Sequence, residues 1–357
     1  MSLPLPSAGP GQSASPSAAD PAAAQPGIDA PWWSATVAPE LLARLRALVA
    51  AEIAPEADAI DREDVYPAAQ IRALARAGFN TLSLPAPYGP GRGYAETAAV
   101  FEEASYASAA VGISLITIFQ AQTILNLYAN ESLKQAYLPR FGEGLLTAYA
   151  LTEANHGSDI RQLDTKARFE DGAWVLKGQK SFITSGSAAE AFIILAQAEK
   201  GVSVFLVPRD APGVSSYKGP NSGTFGLRNG PHVELVLDEV RLPADHLIGE
   251  EGKGVRQAVT TLDYSRTMAA AISLGIARAA FDGALAFALK RRAFDQRVAD
   301  FQGIQWYFAE MLSEIDAARL LTYRAADALD SHEAIDRLSS EAKLVASAMA
   351  TRVASQA

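Results

Sequence analysis

The chain has no cysteine, and this absence removes several kinds of chemistry at once. A protein without thiols cannot form disulfides, bind a metal through thiolates or use a cysteine nucleophile. The four histidines are scattered, without the HExxH or clustered spacing of a metal site; they are His156, His232, His246 and His332. We therefore predict no metal centre and expect the chemistry to come from other side chains or a bound organic cofactor.

Positive charge is also scarce, above all near the N-terminus. The chain has 31 Lys and Arg residues and 40 Asp and Glu residues, so the net charge is -9. Capture of nucleic acid needs a concentrated basic surface, and we predict none. No Lys or Arg precedes Arg44, which removes the basic region of a secretory signal and the Arg-rich face of a mitochondrial presequence.

Long apolar runs are missing as well. No uninterrupted apolar stretch reaches the roughly 18 residues expected of a membrane-spanning helix. With no export signal and no span predicted, we expect a cytoplasmic protein.

Helical periodicity defines the beginning and the end of the chain. Residues 1–31 are rich in Ala, Pro, Ser and Gly with few large apolar side chains, so they are predicted to form a disordered leader. Residues 32–146 carry apolar side chains at three- and four-residue spacings, which indicates an all-helical domain. Residues 251–357 show the same period in three long runs, typical of an incomplete helical bundle.

Between these helical parts, residues 147–250 have the pattern of short strands. Residues 165–170 and 173–180 alternate between apolar and polar side chains, and Asp171-Gly172 between them favours a tight hairpin turn. No helix-length pattern interrupts the block. The chain is therefore predicted to be an α+β protein with an antiparallel β domain in the middle.

Two hydroxyl-bearing segments of this middle domain carry the strongest functional signal. Residues 149–158 have the sequence YALTEANHGS, and residues 181–186 have the sequence SFITSG. Hydroxyls and Gly backbone in a loop can bind an extended polar ring system and its phosphates. For any single Ser or Thr, a turn that closes an interdomain loop is the simpler explanation. The two segments together are far more specific.

The two segments resemble the flavin-binding motifs YxLTExxxGSD and xITSG of the acyl-CoA dehydrogenase family. The resemblance extends from about Trp33 to Ala357, in the family's order of helices, strands and helices. It implies the acyl-CoA dehydrogenase-like fold, FAD as cofactor, and α,β-desaturation of an acyl thioester of CoA or a carrier protein. It also implies an electron-accepting flavoprotein or another acceptor, and a homodimer or homotetramer.

The resemblance assigns roles around the flavin ring. Leu151 and Thr152 would bind its pyrimidine side, and Ser158 would reach the pyrophosphate or the thioester. Phe182, at a position where the family more often has Trp, would cover the ring together with Thr184. The predicted FAD-binding residues of the two segments are Tyr149, Leu151, Thr152, Gly157, Ser158, Phe182 and Thr184.

A further segment resembles the family's R-x-x-F-G…Q element, which comes from a neighbouring subunit and binds the adenosine diphosphate half of FAD. Arg291, Phe294 and Gln302 match it, with Asp295 in place of the usual Gly. A surface cationic cluster would also account for Arg291, and Phe294 could belong to a core. The cofactor role is favoured because its spacing fits the other two segments.

On the substrate side, Asp263 and Arg266 match the family's D-x-x-R stretch near the thioester, and Ser158 joins them. An ordinary ion pair on a helix surface would also explain Arg266. Ser265 stands where some members carry the catalytic Glu, and the sequence ends at Ala357, before the helix that carries the usual one. The catalytic base is therefore unassigned, and slow dehydrogenation is expected unless a longer natural product or another subunit supplies that helix.

Two other functions stay open, since a fold does not fix its chemistry. One is a flavin-dependent monooxygenase or oxidase on the same fold. The other is a truncated, catalytically silent paralogue that binds an acyl thioester or a partner subunit. Reduction of bound flavin by acyl-CoA would exclude the silent paralogue, and release of hydrogen peroxide or a need for reduced flavin would indicate the monooxygenase or oxidase.

Overall fold

The computed structural model describes residues 37–220, 222–331, 333 and 335–357. The predicted leader and His332 lie outside these residues. The first part is helical, as predicted from residue spacing. Its helices are α1 (Pro39–Leu48), α2 (Ala57–Glu63), α3 (Ala68–Arg76), α4 (Tyr94–Ala107), α5 (Ala109–Tyr128) and α6 (Glu131–Gly142).

Two helices of this part, α5 and α6, begin at side-chain capping residues. Ser108 caps α5 by accepting from Val111 N at 3.5 Å, and Asn130 caps α6 by accepting from Leu133 N at 2.9 Å. Such side-chain acceptors satisfy N–H groups that have no partner inside the helix. Helix α5 is buried almost all round, as its composition predicts.

The middle part is an eight-stranded sheet with the order β6-β7-β3-β2-β4-β5-β8, and β1 pairs with β4. Its strands are β1 (Thr147–Ala150), β2 (Lys166–Glu170), β3 (Ala173–Ile183), β4 (Ala191–Ala198), β5 (Gly201–Pro208), β6 (Val214–Lys218), β7 (Val233–Pro243) and β8 (Leu247–Ile248). The predicted hairpin joins β2 to β3, and both residues of its Asp171-Gly172 turn have positive φ.

The sheet is mixed rather than wholly antiparallel. Most neighbouring strands are antiparallel, but β1 runs parallel to β4, and β2 is parallel to β4 at one residue pair. Parallel neighbours need a long crossover between them. Here the β2–β3 hairpin and the loops on either side of it supply that connection between β1 and β4. Short-range alternation in the sequence does not specify which direction such a strand takes.

The last part contains three long helices, α7 (Gly254–Lys290), α8 (Gln302–Ser331) and α9 (Ile335–Gln356). Between α7 and α8 lies a small hairpin of β9 (Arg292–Ala293) and β10 (Gln296–Arg297), which sequence periodicity did not predict. Its two turn residues, Phe294 and Asp295, both have positive φ, at 49° and 63°. A two-residue hairpin turn requires this backbone.

Buried apolar side chains of the described residues fall into three clusters. One joins α1 and α3–α6 to one face of the sheet and to α7 and α8, and includes Ile193 and Met268. The second lies on the opposite face of the sheet, around Phe192 and Phe205. The third holds α7, α8 and α9 together. Strand β4 is therefore buried on both faces.

Two helices, α5 and α7, are long and apolar enough by length and composition to cross a membrane. In the most apolar 18-residue segment of each helix, 72% is buried inside the protein for α5 and 39% for α7. Core helices pass the same test when they pack against neighbours on several sides. Absence of a membrane span stays a prediction.

A buried ionic network fixes α4 against α7 and α8. Glu102 accepts from Arg278 and Arg319, each at 3.0 Å, and from the Tyr323 hydroxyl at 2.9 Å. Burial disfavours the charged form of Glu102, but the two guanidinium groups outweigh it and hold its pKa below the usual range. The close approach of α4 and α7 requires Gly275, where a Cβ atom would lie 2.2 Å from the Glu102 carbonyl oxygen.

Replacing Glu102 by Leu should destabilise the protein by about 3 to 5 kcal/mol, because two buried guanidinium groups lose their shared counter-charge. Urea unfolding measures this free energy. Glu333→Gln is the matched control, since it removes an acidic partner of Arg324 at an exposed ion pair and should change stability little. Equal effects of the two substitutions would contradict the importance of burial here.

Candidate active site

The structure brings the two predicted flavin segments together. Residues 151–165 form the loop that follows β1, and the second segment lies at the end of β3. Ser181 N donates to Thr152 O at 2.9 Å, and Lys180 Nζ donates to Leu151 O at 3.2 Å. The backbone expected to face the flavin's pyrimidine side is therefore held directly by the strand that carries Phe182.

A buried ion pair completes this connection. Lys180 Nζ donates to Glu153 Oε1 at 2.7 Å, and neither side chain is more than 2% exposed. Both Glu153 oxygens are further engaged, since Oε2 accepts from Asp164 N at 2.6 Å and Oε1 from Thr165 N at 3.0 Å. One carboxylate thus fixes both ends of the loop that contains Gly157 and Ser158.

Burial and charge act in opposite directions on this pair. Burial lowers the pKa of Lys180 to about 8, against the hydrogen bond and charge of Glu153, which raise it. Burial favours the neutral form of Glu153, but the Lys180 ammonium outweighs it and lowers the pKa of the carboxyl group. Sequence reasoning missed both residues. The sequence feature that could have indicated this pair is a lysine within an apolar strand, 27 positions after the glutamate of the first motif.

A β-bulge presents Phe182 to the outside. In the pairing of β3 with β7, Lys180 is opposite Leu235 and Ile183 is opposite Val233, so β3 contains one extra residue. Phe182 has φ 57° and is 50% exposed. Left-handed backbone costs a bulky residue roughly 1 to 2 kcal/mol. Bulges re-aim side chains next to active sites, and this one leaves an aromatic face open for stacking.

Three of the motif hydroxyl groups are available to a ligand. Within the described residues, no hydrogen bond joins the side chain of Thr152, Ser158 or Thr184 to another residue. Thr152 and Thr184 are half-buried, and Gly157 and Ser158 are exposed. These groups fit a flavin, whose polar edge and phosphates need several donors and acceptors at one surface.

Tyr149 differs from these residues because its hydroxyl points into the protein. That oxygen is buried and has no hydrogen-bond partner among the described residues. Burial raises the pKa of Tyr149 well above its ordinary value. The structure therefore places Tyr149 beside the loop as a packing residue, and its assignment to the cofactor stays a prediction.

Helix α5 connects the end of β3 with α7. Thr117 Oγ1 lies 3.1 Å from Ser185 Oγ, and Gln120 Nε2 donates to Ser265 Oγ at 3.3 Å. Three residues, a rise of about 4.5 Å along the helix, separate the two α5 residues. Ser265, the position where some family members carry a base, therefore lies near residues 182–185 at the end of β3, the predicted flavin-covering turn.

A half-buried stripe interrupts the buried surface of α5. Ile113, Ile116 and Gln120 are partly exposed, whereas their neighbours in the helix are buried. At 100° per residue, Thr117 flanks the stripe towards the end of β3. Gly112 flanks it on the other side, towards Ser105 of α4 and Ile272 of α7, whose nearest atoms lie 1.9 Å and 3.5 Å from its Cβ position. The stripe thus faces the space between α7 and the flavin-covering turn.

Asp263 and Arg266 point away from this space. They pair with each other, and Arg266 Nη1 lies 3.4 Å from Ser340 Oγ of α9. Both line a groove between α7 and α9, on a different face of α7 from Ser265. Burial raises the pKa of Asp263, while Arg266 opposes this shift. Their substrate-side role stays a prediction, and their observed contacts are with α9.

The structure does not bring Arg291, Phe294 and Gln302 to the two flavin segments. Arg291 follows the last residue of α7, and 26 residues separate it from Ser265, which corresponds to about 39 Å of helix. Phe294 is 92% exposed at the tip of the β9–β10 hairpin, and Arg291 and Gln302 are exposed beside it. These three residues form a second, separate surface of the chain.

One group of side chains has metal-ligand spacing. Ligand atoms of Glu153, His156 and Asp164 lie within 4.8 Å of one another. Glu153, however, already binds the Lys180 ammonium and two backbone N–H groups. A cation there would compete with the lysine that the carboxylate neutralises, so this group has an explanation without a metal.

Breaking the Lys180–Glu153 pair should destabilise the protein strongly. Lys180→Met leaves a buried carboxylate without its counter-charge, which costs about 3 to 5 kcal/mol. In Glu153→Gln, the pKa of Lys180 should fall further. The double variant should lose less stability than the sum of the single variants in urea unfolding.

Lys177→Met is the matched control, because Lys177 lies on the same strand but pairs with Glu239 at the surface. If Lys180→Met and Glu153→Gln each cost less than about 1 kcal/mol, and their costs add in the double variant, the two residues behave as a surface ion pair. That result would contradict this interpretation.

Comparison with known proteins agrees with this geometry over the whole described chain. The acyl-CoA dehydrogenase N-terminal, middle and C-terminal domain models match residues 38–144, 148–240 and 252–357. A probable acyl-CoA dehydrogenase of Mycobacterium leprae is 34% identical over 327 residues, covering 89% of this chain and 83% of that protein. The human mitochondrial short-chain specific acyl-CoA dehydrogenase is 34% identical, covering 89% and 78%.

Solved structures show the same fold. Butyryl-CoA dehydrogenase from Megasphaera elsdenii superposes with a TM-score of 0.84 at 31% identity, covering 88% of this chain and 85% of that one. A glutaryl-CoA dehydrogenase from Mycobacterium smegmatis in complex with FADH2 gives a TM-score of 0.82 at 25% identity, covering 88% and 81%. The chain belongs to the acyl-CoA dehydrogenase family, whose members depend on FAD.

Proposed function

We propose that this protein oxidises an acyl-CoA thioester to its α,β-unsaturated form, with the flavin of FAD bound between the loop after β1 and the end of β3. The observation that carries the proposal is the junction of these segments through Lys180 and Glu153, beside which the hydroxyls of Thr152, Ser158 and Thr184 have no hydrogen-bond partner among the described residues. Because the backbone that carries these hydroxyls is already held in place, it loses less conformational entropy when a polar ligand edge binds.

The residues of the chain would divide the work as follows. Leu151 and Thr152 would bind the pyrimidine edge, Phe182 would stack on the ring, and Thr184 would lie near N5. Bound FAD would supply the acceptor for the β-hydride, and an electron-transferring flavoprotein or another acceptor would remove the electrons. The acyl group would lie along Ile116 and Gln120, between α7 and the ring.

The α-proton needs a carboxylate base, and α7 does not supply one where it faces this space. Ser265 is 3% exposed and hydrogen-bonded to Gln120. Asp263 faces α9 and pairs with Arg266. We therefore assign neither residue as the base.

We also propose a homo-oligomer in which Arg291, Phe294 and Gln302 of one copy complete the FAD site of another. Their distance along α7 from Ser265 supports this arrangement. Exposed aromatic side chains surround the same surface, with Phe287 65%, Trp306 62% and Tyr307 52% exposed. Large exposed apolar patches of this kind are typical of interaction surfaces.

The cofactor site is tested by Thr152→Ala and Ser158→Ala. Each loss leaves a polar flavin atom unpaired and should weaken FAD binding by about 1 to 3 kcal/mol. Absorbance and equilibrium dialysis measure the bound cofactor. Ser347→Ala, in α9, is the control, because its hydroxyl bonds only Leu344 O at the surface. A wild-type protein that binds no FAD would contradict the proposal.

The shared site is tested by mixing two variants that each bind FAD more weakly than the wild type. Arg291→Ala alters the surface at the end of α7, and Thr152→Ala alters the flavin segment. Refolding the two variants together should regenerate some intact sites, up to a quarter of all sites in a random mixture of dimers. Bound FAD per chain is the measurement. No gain over the separate variants would show that one chain builds each site alone.

The position of the base is tested by Ser265→Glu, with the isosteric Ser265→Gln as its neutral control. A carboxylate here would face the acyl space beside Gln120, and general-base catalysis contributes roughly 10² to 10⁴ in rate. Ser265→Glu should therefore speed flavin reduction by butyryl-CoA in stopped-flow measurements. Equal rates for the Glu and Gln variants would exclude this position.

A further inference from the structure

The flavin-covering turn, residues 182–185, is held from two sides. On one side are the contacts of Lys180 and Ser181 with the loop after β1. On the other side is a single side-chain hydrogen bond to α5, in which Thr117 Oγ1 lies 3.1 Å from Ser185 Oγ. Both groups are buried, with Ser185 1% and Thr117 3% exposed.

The proton donors of this contact can be assigned from its neighbours. Thr117 Oγ1 is 3.0 Å from Ser114 O, which can only accept. Because a hydroxyl has one proton, Thr117 donates to Ser114 O and accepts from the Ser185 hydroxyl. Ser114 in turn accepts from Asn229 Nδ2 at 2.9 Å and donates to Ala110 O at 2.8 Å. Thr117 and Ser114 thus form a directed polar contact between α5, the turn and the loop before β7.

The contact matters because Ser185 is conformationally strained. Its φ is 63°, a left-handed conformation that costs a residue other than Gly about 1 to 2 kcal/mol. Such strain persists only where surrounding contacts enforce it. The next residue, Gly186, cannot be larger, since a Cβ atom would lie 2.6 Å from Val233 Cγ2. The backbone of Ser185 is held by Ala188 N and Ala189 N, which donate to its carbonyl oxygen, and its side chain is held by the contact with Thr117.

Thr117 also lies next to the half-buried stripe of α5. It follows Ile116 directly and is one turn before Gln120, so the same helical turn touches the acyl space and the flavin-covering turn. We infer that Thr117 is a positioning residue, which sets the distance between an acyl thioester on the stripe and the flavin beneath residues 182–185. This inference rests on the proposed function.

Thr117→Val tests it, since valine keeps the shape of threonine and removes the hydroxyl. FAD content should stay within twofold of wild type. The change that butenoyl-CoA causes in the absorption spectrum of the oxidised flavin, at saturating ligand, should fall by at least half. Thr117→Ser should restore it. Thr123→Val is the matched control, because this buried α5 threonine bonds only Phe119 O, at 2.8 Å.

Ser185→Gly provides an independent variant, because glycine accepts the positive φ while it removes the other hydroxyl of the contact. It should show the same loss as Thr117→Val. A wild-type spectral change in either variant overturns the inference, as does an equal loss in Thr123→Val. A wild-type protein that binds FAD but shows no change with butenoyl-CoA also overturns it, whereas one that binds no FAD refutes the proposed function itself.

Discussion

The buried contact between Lys180 and Glu153 is the interaction on which the candidate site depends. It joins the strand that carries Phe182 to the loop that carries Thr152, and Glu153 also holds the far end of that loop through Asp164 N and Thr165 N. A buried ion pair of this kind gives little net stability compared with apolar packing, but removal of either partner alone is strongly destabilising. Its role here is to fix geometry.

The helical part and the β part each supply something the other lacks. The sheet provides a strained, bulged strand end with an exposed aromatic ring, and a polar loop with unpaired hydroxyls. The helices α5 and α7 provide an apolar wall with one half-buried stripe. The network around Glu102 sets α4 against α7 and α8, and the α5 contacts with Ser185 and Ser265 set this wall against the sheet. Chemistry at the junction therefore depends on contacts far from the reacting atoms.

Much of the fold followed from residue spacing, because each helix buries one periodic face and each strand alternates. The sequence also predicted two flavin-binding segments, and the structure places their residues together. It did not reveal the Lys180–Glu153 pair, since a contact across 27 positions leaves no periodic signal. The predicted strand ended at residue 180, whereas β3 continues through its bulge to Ile183. Likewise, the parallel pairing of β1 depends on a crossover that alternation does not encode.

The separation of Arg291 from the predicted flavin segments is a second property that only the three-dimensional structure reveals. The resemblance suggested a neighbouring subunit, and the length of α7 supplies the physical reason, because a rigid helix holds the two surfaces of one chain apart. Asp295, which departs from the family's usual Gly, adopts the same positive φ that glycine would favour. The hairpin turn therefore keeps its shape despite the substitution.

The most direct test of the whole account is an anaerobic titration of the purified, FAD-loaded protein with butyryl-CoA, followed through the flavin absorption band and by mass spectrometry of the thioester. The account predicts bleaching of the flavin together with loss of two hydrogen atoms from the acyl group, one equivalent per bound FAD. A flavin that stays oxidised with butyryl-CoA and with longer and branched acyl thioesters, in both the wild type and Ser265→Glu, would contradict it.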